Sequence, residues 1–283
     1  MTIPKVFNMK RKGNLRKIET KIIDNNVVYN LRLYDVLKPQ NETIELNTLI
    51  GKPIKLTYEG VINCVVTGKK IKKAYGEGMS WDAFESSPMA DQSIVKPELS
   101  TAHLGIERRD LDWEIKHHVV PHFVYLSFTS DFKVGVTRYT QIPTRWIDQG
   151  AVGAIKIAET PYRQAAGLIE VALKDFIADK TNWRKMLQDQ KVDAEMMLKK
   201  RDELMAQIPE AFKCFALADE EIQMLNYPVE AYPAKISSVK FDKFPVIDKV
   251  LKGVKGQYLI FDDNTVMNIR SQSGYEITFE CEN

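Results

Sequence analysis

The chain has 283 residues, 40 Lys and Arg against 38 Asp and Glu, four His and three Cys, for a net charge of +2. With 44% apolar and 28% charged residues, and only 14 Gly and 12 Pro, its composition excludes collagen-like, low-complexity and largely disordered classes. The length suits about two domains or one elaborated one.

No apolar run approaches the ~18 residues a membrane span needs. The longest candidate, residues 119–128, is interrupted by Pro121 and His122. The start is basic and lacks a following apolar stretch, so it does not read as a secretory signal. Cys64, Cys214 and Cys281 are odd in number and far apart, which suits a reducing compartment. The expectation is a cytoplasmic protein with no membrane partner.

The near-zero net charge hides an asymmetry. Residues 1–73 hold fifteen Lys and Arg against six Asp and Glu. Two clusters carry the excess: Lys10, Arg11 and Lys12 with Arg16, and Lys69, Lys70, Lys72 and Lys73. Such runs are either solvated surface or the footprint of phosphate-backbone binding, and they nominate these eight residues as nucleic-acid contacts.

In chain order, residues 21–23, 27–34 and 54–58 alternate as strands, with turns at 24–26 and 39–41. Residues 65–115 have little periodicity and read as a long irregular connection, held by packing around Trp81, Phe84 and Trp113. A β-hairpin follows, 123–128 and 132–136 about the turn 129–131. Next come a helix near Pro143, a strand over 154–158, and a helix that Thr160 caps and Pro161 begins. The apolar stripe of this helix is Ala165, Leu168, Ile169, Ala172 and Phe176, and it should run to about Ala178. A second helix spans 183–207, closed by Pro209. A three-stranded meander, 257–261, 266–270 and 275–279, ends the chain.

All four histidines, His103, His117, His118 and His122, lie within twenty residues. His118 and His122 have i,i+4 spacing, but Pro121 between them opposes the regular helix that a two-histidine metal motif needs.

The hairpin and its sequel form an ordered series: Tyr125, Lys133-Val-Gly135, Arg145, Glu170 and Asn182. This order resembles the GIY-YIG nuclease superfamily over residues 122–185, with Phe123-Val-Tyr125 where Gly-Ile-Tyr is expected and Lys133-Val-Gly135 where Tyr-Ile-Gly is expected. The resemblance implies a nuclease. Tyr125 would position or deprotonate water, Arg145 and Lys133 would neutralise phosphate, Glu170 would hold Mg²⁺ or Mn²⁺, and Asn182 would complete the set. Lys133 departs from the pattern by replacing the second tyrosine. Each residue also has a plain structural reading. On a helical wheel Glu170 lies about 120–140° from the centre of the stripe, so an exposed pair with Lys174 explains it.

More widely, the chain resembles a bacterial domain-of-unknown-function family, number 2797. The stretches that carry this are 12–16, 49–52, Lys133-Val-Gly-Val-Thr-Arg138, Gln141-Ile-Pro-Thr-Arg-Trp-Ile-Asp-Gln-Gly150, 178–184 and Gly256-Gln-Tyr-Leu-Ile-Phe-Asp262. Members resemble a zinc-ribbon protein ahead of the hairpin, with two Cys-x-x-Cys pairs. The matching positions here are Cys64, Thr67, Ser80 and Ala83, and Ser93 and Ser100 look like further replaced cysteines. One cysteine cannot make a tetrahedral zinc site, so no structural zinc is expected.

The expected fold is α+β: a GIY-YIG-like α/β core over 116–185, a basic β-rich region over 1–115 with the degenerate zinc-ribbon-like segment, and a long helix plus meander over 186–283. The expected function is nucleic-acid binding, with divalent-metal phosphodiester cleavage as the activity the resemblance implies. The alternative is an interaction module for nucleic acid or protein that kept the fold and lost the chemistry. Because fold alone does not deliver activity, the site geometry has to separate the two.

Overall fold

The structure is a computed structural model that describes residues 7–177, 181–218 and 220–282. The fold is α+β, with β-rich segments from both ends of the chain. It divides into two compact units, one of residues 1–85 with 227–283 and the other of residues 86–226. The boundaries drawn from sequence after residues 115 and 185 do not fall at the limits of these units.

In the first unit, β1 (Met9–Leu15), β2 (Glu19–Ile23), β3 (Asn26–Asp35), β4 (Gln40–Glu45), β5 (Pro53–Asn63) and β6 (Lys70–Ile71) precede a short helix α1 (Trp81–Ser86). The alternation read from sequence is real: Val27, Tyr29, Leu31 and Leu33 of β3 are buried while their neighbours are half-exposed.

The second unit begins with a chain of single 3₁₀ turns and α2 (Leu111–His118). It continues through β7 (His122–Phe128), β8 (Phe132–Arg138), α3 (Thr144–Asp148), β9 (Gly153–Thr160), α4 (Arg163–Leu173), α5 (Trp183–Met186), α6 (Ala194–Met205) and β10 (Gln223–Met224). Its strands form an antiparallel sheet in the order β10-β9-β7-β8. Val124, Leu126, Val136, Ile155 and Ile157 from the sheet share a core with Ile169 and Leu173 of α4 and with Met197 and Leu204 of α6.

The chain then returns to the first unit with β11 (Ser237–Ser238), β12 (Val246–Lys255), β13 (Tyr258–Phe261), β14 (Thr265–Asn268) and β15 (Tyr275–Cys281). N- and C-terminal strands join in one sheet, β11-β14-β13-β12-β5-β15-β1-β3-β2. The meander exists, but its members are β12, β13 and β14. The strand expected to close it, β15, instead lies between β1 and β5, pairing Lys12 with Thr278 and Leu56 with Phe279. Phe279 and Ile277 are fully buried there, and a β15 at the edge beside β14 would leave one edge of β1 and one edge of β5 open. The Gln257 amide fixes the same closure by bonding both the N–H and the carbonyl of Ile18, at 2.9 and 3.1 Å.

Three helical expectations are corrected. Thr160 does not cap α4: it pairs with His122 in the sheet and donates its hydroxyl to the Tyr162 carbonyl at 3.0 Å, so the helix starts at Arg163 after Tyr162. α4 ends at Leu173 and a single 3₁₀ turn runs on to Phe176, short of the expected end near Ala178, a residue outside the described ones. The long 183–207 helix is broken over 187–193, where the Asp193 carboxylate accepts from the Met196 N–H at 2.7 Å and starts a new helix. Among the described residues, no helix is long and apolar enough to cross a membrane.

Within the 65–115 stretch read as irregular, Trp81 lies 6.2 Å from Phe84 and Trp113 stacks on His117 at 4.0 Å, and residues 86–115 are further ordered by buried polar groups. Asp91 holds Arg108 at 2.7 Å, and burial opposes its charge while the bonds from Arg108 and Ser93 keep its carboxyl far below the usual range. Glu114, also buried, accepts from the N–H groups of Arg108, Arg109 and Asp110. Trp81, nominated as a core residue, is 52% exposed.

Candidate active site

Tyr125 stands on β7 directly across from Gly135 on β8, the pairing that the hairpin register fixes. A Cβ on Gly135 would lie 2.5 Å from the Tyr125 hydroxyl oxygen and 2.6 Å from Cζ, so the glycine is what lets the phenol lie across the second strand. The ring is fully buried and meets Trp146 of α3 edge-on at 6.1 Å.

Arg145 on α3 hydrogen-bonds the Tyr125 hydroxyl. One turn further along, Gln149 joins them. Turned with its oxygen toward the guanidinium, its amide accepts Arg145 Nε–H at 2.9 Å and the Tyr125 O–H at 2.9 Å, which satisfies cation and phenol together. Burial pushes the Tyr125 phenol up, against the pull of Arg145. Burial also opposes the Arg145 charge, but the Tyr125 hydrogen bond and the charges of Tyr125, Asp148 and Glu170 outweigh it and raise the group. Sequence reading missed Gln149, although its place four residues after Arg145 on one helix face was a usable signal.

Glu170 is not the solvent-facing residue that the wheel suggested. Its side chain is only 12% exposed, and Oε2 is buried without a hydrogen-bond partner, its nearest cation being Lys174 Nζ at 3.9 Å. The reason is a second covering layer. α4 packs its Ala166, Ile169 and Leu173 side on the sheet, while Gly167 abuts the backbone of 97–98, where a Cβ would lie 2.2 Å from the Glu98 nitrogen. Arg163, on the same side of α4, donates to the carbonyls of Ser93 and Ile94 at 2.9 and 2.8 Å. The expected stripe is shifted accordingly, leaving Leu168 and Phe176 exposed. Burial raises the Glu170 carboxyl, Glu98 adds to this, and Lys174, Arg163 and Lys133 oppose it.

Arg163 was also missed. Burial lowers its guanidinium to about 10, Arg145 and Arg138 push the same way, and Glu170 and Glu98 resist. Three arginines and two carboxylates thus share one electrostatic neighbourhood, and Glu98 Oε2, like Glu170 Oε2, is buried without a hydrogen-bond partner. Lys133 on β8 reaches the Thr181 hydroxyl at 3.5 Å and is felt by Glu170. Asn182 is spent elsewhere: its side-chain oxygen accepts from the N–H groups of Arg184 and Lys185, both at 3.1 Å, and caps α5.

Two buried histidines flank the arginines. The Nδ1 of His122 lies 2.7 Å from the Val120 carbonyl, which can only accept, so Nδ1 carries the proton. His118 shares its Nδ1 with the Ser100 hydroxyl at 3.0 Å. Burial, reinforced by Arg163 and Arg138, lowers His118 to about 4 and His122 to about 3.

As to metals, the described residues contain no group of three or more His, Cys, Asp and Glu that could hold an ion. Mg²⁺ needs less, because it keeps most of its waters and binds through one or two carboxylates plus substrate phosphate. The Glu170 oxygen, which among the described residues accepts no hydrogen bond and meets Lys174 at 3.9 Å, fits that requirement. At the four positions that match the ribbon's cysteines, Cys64 Sγ accepts from the N–H groups of Ser80 and Thr67 at 3.2 and 3.5 Å, the Ser80 hydroxyl accepts from the Ala83 N–H at 3.3 Å, and Cys64, Met79 and Ala83 pack together as a small apolar cluster. Burial pushes the Cys64 thiol up, but these bonds outweigh it and bring it down to about 6.

The first basic cluster is largely neutralised within the sheet. Lys12 meets Glu276 at 2.9 Å and Glu59 at 3.9 Å, Lys10 meets Glu280 at 3.7 Å, and Arg11 meets Glu42 at 3.2 Å. Arg16 lies over the Tyr34 ring at 4.6 Å. Lys69, Lys70, Lys72 and Lys73 are exposed.

No curated protein and no solved structure matches the chain. The model of a family described as protein of unknown function (DUF2797) matches residues 51–277, which takes in the hairpin, α3 and α4 and reaches into β15. The chain belongs to that family.

Proposed function

We propose that this is a nucleic-acid-binding protein whose second unit carries a GIY-YIG-like, divalent-metal-dependent phosphodiesterase site. The observation that carries the reading is the hydrogen-bonded group of Tyr125, Arg145 and Gln149, brought together from a strand and a helix, with the buried Glu170 carboxyl near enough to act on both Tyr125 and Arg145. In such a site Arg145 and Arg163 bind and neutralise the phosphate, and Lys133 adds a cation from β8. The Tyr125 oxygen, held by Arg145 and Gln149, orients water. Glu170 holds the Mg²⁺ or Mn²⁺, which when bound supplies charge stabilisation to the leaving oxygen. A cytoplasmic setting belongs to the same proposal and agrees with three free thiols.

A second reading, an interaction module without chemistry, draws on two observations. Lysine replaces tyrosine at position 133, and the Asn182 side chain is committed to a helix cap. Incubation of the full chain with labelled single-stranded, duplex and branched DNA and RNA in Mg²⁺, Mn²⁺ or EDTA, beside Glu170→Ala, separates the two. Metal-dependent cutting that the variant loses supports the nuclease; binding without cutting in every metal supports the module.

A further inference from the structure

In the first unit the chain between Cys64 and Glu85 forms a compact loop whose exposed side combines rings and cations. The loop is rigidly tied. Cys64 Sγ receives two backbone N–H groups, the Val65 N–H donates to the Gly78 carbonyl at 2.8 Å, and Tyr75 and Met79 exchange backbone bonds at 2.9 Å. Gly78, at φ +97°, could not carry a side chain, since a Cβ would lie 2.6 Å from the Ser273 carbonyl oxygen.

On this base Trp81 sits edge-on to Tyr75 at 5.0 Å and near Phe84 at 6.2 Å, with 52% of its surface exposed. Lys73 Nζ lies 5.1 Å over the Tyr75 ring, and Lys69, Lys70 and Lys72 are exposed on the same loop. Of the loop's three acids, Glu77, Asp82 and Glu85, Glu77 is neutralised by Arg270 of the C-terminal segment, which leaves the four lysines against two.

We propose that Trp81, supported by Tyr75 and joined by the exposed Lys69, Lys70, Lys72 and Lys73 of the same loop, is a stacking platform for single-stranded nucleic acid. The inference rests on the nucleic-acid reading above, though not on catalysis. A half-exposed indole held in fixed orientation offers a π-face that any unpaired base can stack on, while paired bases inside a duplex cannot reach it. The lysines supply the phosphate attraction that every strand needs, independent of sequence. Backbone-only binding would need the lysines and not the exposed tryptophan.

The test is fluorescence anisotropy of the full chain with labelled 12-nucleotide single strands and the corresponding duplex, in EDTA so that no cutting interferes. Trp81→Ala is expected to weaken single-strand binding roughly 5- to 150-fold, the range that loss of one stacking platform produces, and to leave duplex binding within about twofold. Trp81→Phe, which keeps a ring, should stay within about fivefold of the parent. Since each phosphate contact on a single strand contributes roughly 0.7 to the salt slope, Lys70→Ala with Lys72→Ala should reduce it by about 1.4. Thermal unfolding of each variant confirms that the loop remains folded.

Equal single-strand affinity in parent and Trp81→Ala, or a parent that prefers duplex, overturns the platform. Glu170-dependent cutting in that case leaves the nuclease standing without it. Trp81-dependent single-strand binding in a chain that cuts nothing establishes the platform and overturns the nuclease. No binding to any strand overturns both.

Discussion

The two units treat their cations in opposite ways. Lys10, Arg11 and Lys12 are contiguous in sequence and look like a patch, yet along a strand they point to alternate faces and meet Glu280 and Glu276 from the adjacent β15, Glu42 from β4 and Glu59 from β5. Arg138, Arg145 and Arg163 stand on three different elements, draw no notice as a run, and come close enough for each of the first two to depress the charge on the third. Contiguity in sequence is therefore a poor guide to electrostatic strength. Sheet pairing disperses neighbours, and packing of a helix against a sheet gathers strangers.

The largest expected effect tests whether the gathered charge is as strained as the geometry says. His118 and His122 are neutral in the folded chain, with values near 4 and 3 against an ordinary value of 6.5. Their stabilising contribution is complete above about pH 6.5 and is lost as the pH falls toward those values, because only the unfolded chain then takes up the protons. Each tenfold drop in an imidazole's proton affinity on folding corresponds to about 1.4 kcal/mol. Urea unfolding followed from pH 7 to pH 4 should therefore show a loss of several kcal/mol, which the His122→Gln variant reduces. A flat profile would show that the arginines and imidazoles are not packed as described.

Next, Glu170→Gln should abolish metal-dependent cutting, by at least about 100-fold, while raising the melting temperature at neutral pH. The sign follows from burial. A carboxyl whose folded value is raised favours folding in its neutral form, a contribution that is full in acid and disappears as the pH rises through that value. An amide keeps the neutral state at every pH. Lower stability of the variant at pH 8 would contradict the buried placement.

Arg145→Ala against Lys10→Ala sharpens the contrast between the units directly. The first should weaken nucleic-acid affinity or turnover by about 10- to 100-fold, because it removes a charge-assisted phosphate contact and the partner of Tyr125. The second should change either by less than about twofold, as an exposed, already paired lysine. Equal losses in titrations at matched salt would restore the β1 cluster as the principal binding surface.

Smaller again, Gly135→Ala should destabilise the chain by about 1–3 kcal/mol through collision with the Tyr125 ring, readable in chemical denaturation. Smallest of all, Lys12→Ala should cost under about 1 kcal/mol, since exposed ion pairs contribute little. Should the order of these two reverse, the hairpin would have more room than its register leaves.

Much of the framework was legible in the sequence. Period-two alternation marked β3, β5 and the β7–β8 hairpin, because a strand with one buried face must alternate. The ordered series Tyr125, Lys133, Gly135, Arg145, Glu170 and Asn182 stood in the sequence only as a resemblance. Tertiary structure decided how that set is used. It buried Glu170 under residues 97–98, which no helical wheel of α4 alone could show, and it recruited Arg163, Gln149 and Glu98. It turned Asn182 into a cap and broke the second helix over the mostly polar residues 187–193, where Asp193 caps a new start. It inserted β15 between β1 and β5 rather than beside its neighbour in sequence. Local sequence specifies which backbone conformation a segment prefers and which of its faces is apolar, since those depend on near neighbours. Which charges are neutralised, which carboxylate is left without a bond and which tryptophan stays in water depend on segments distant in the chain, and only the folded arrangement brings those together.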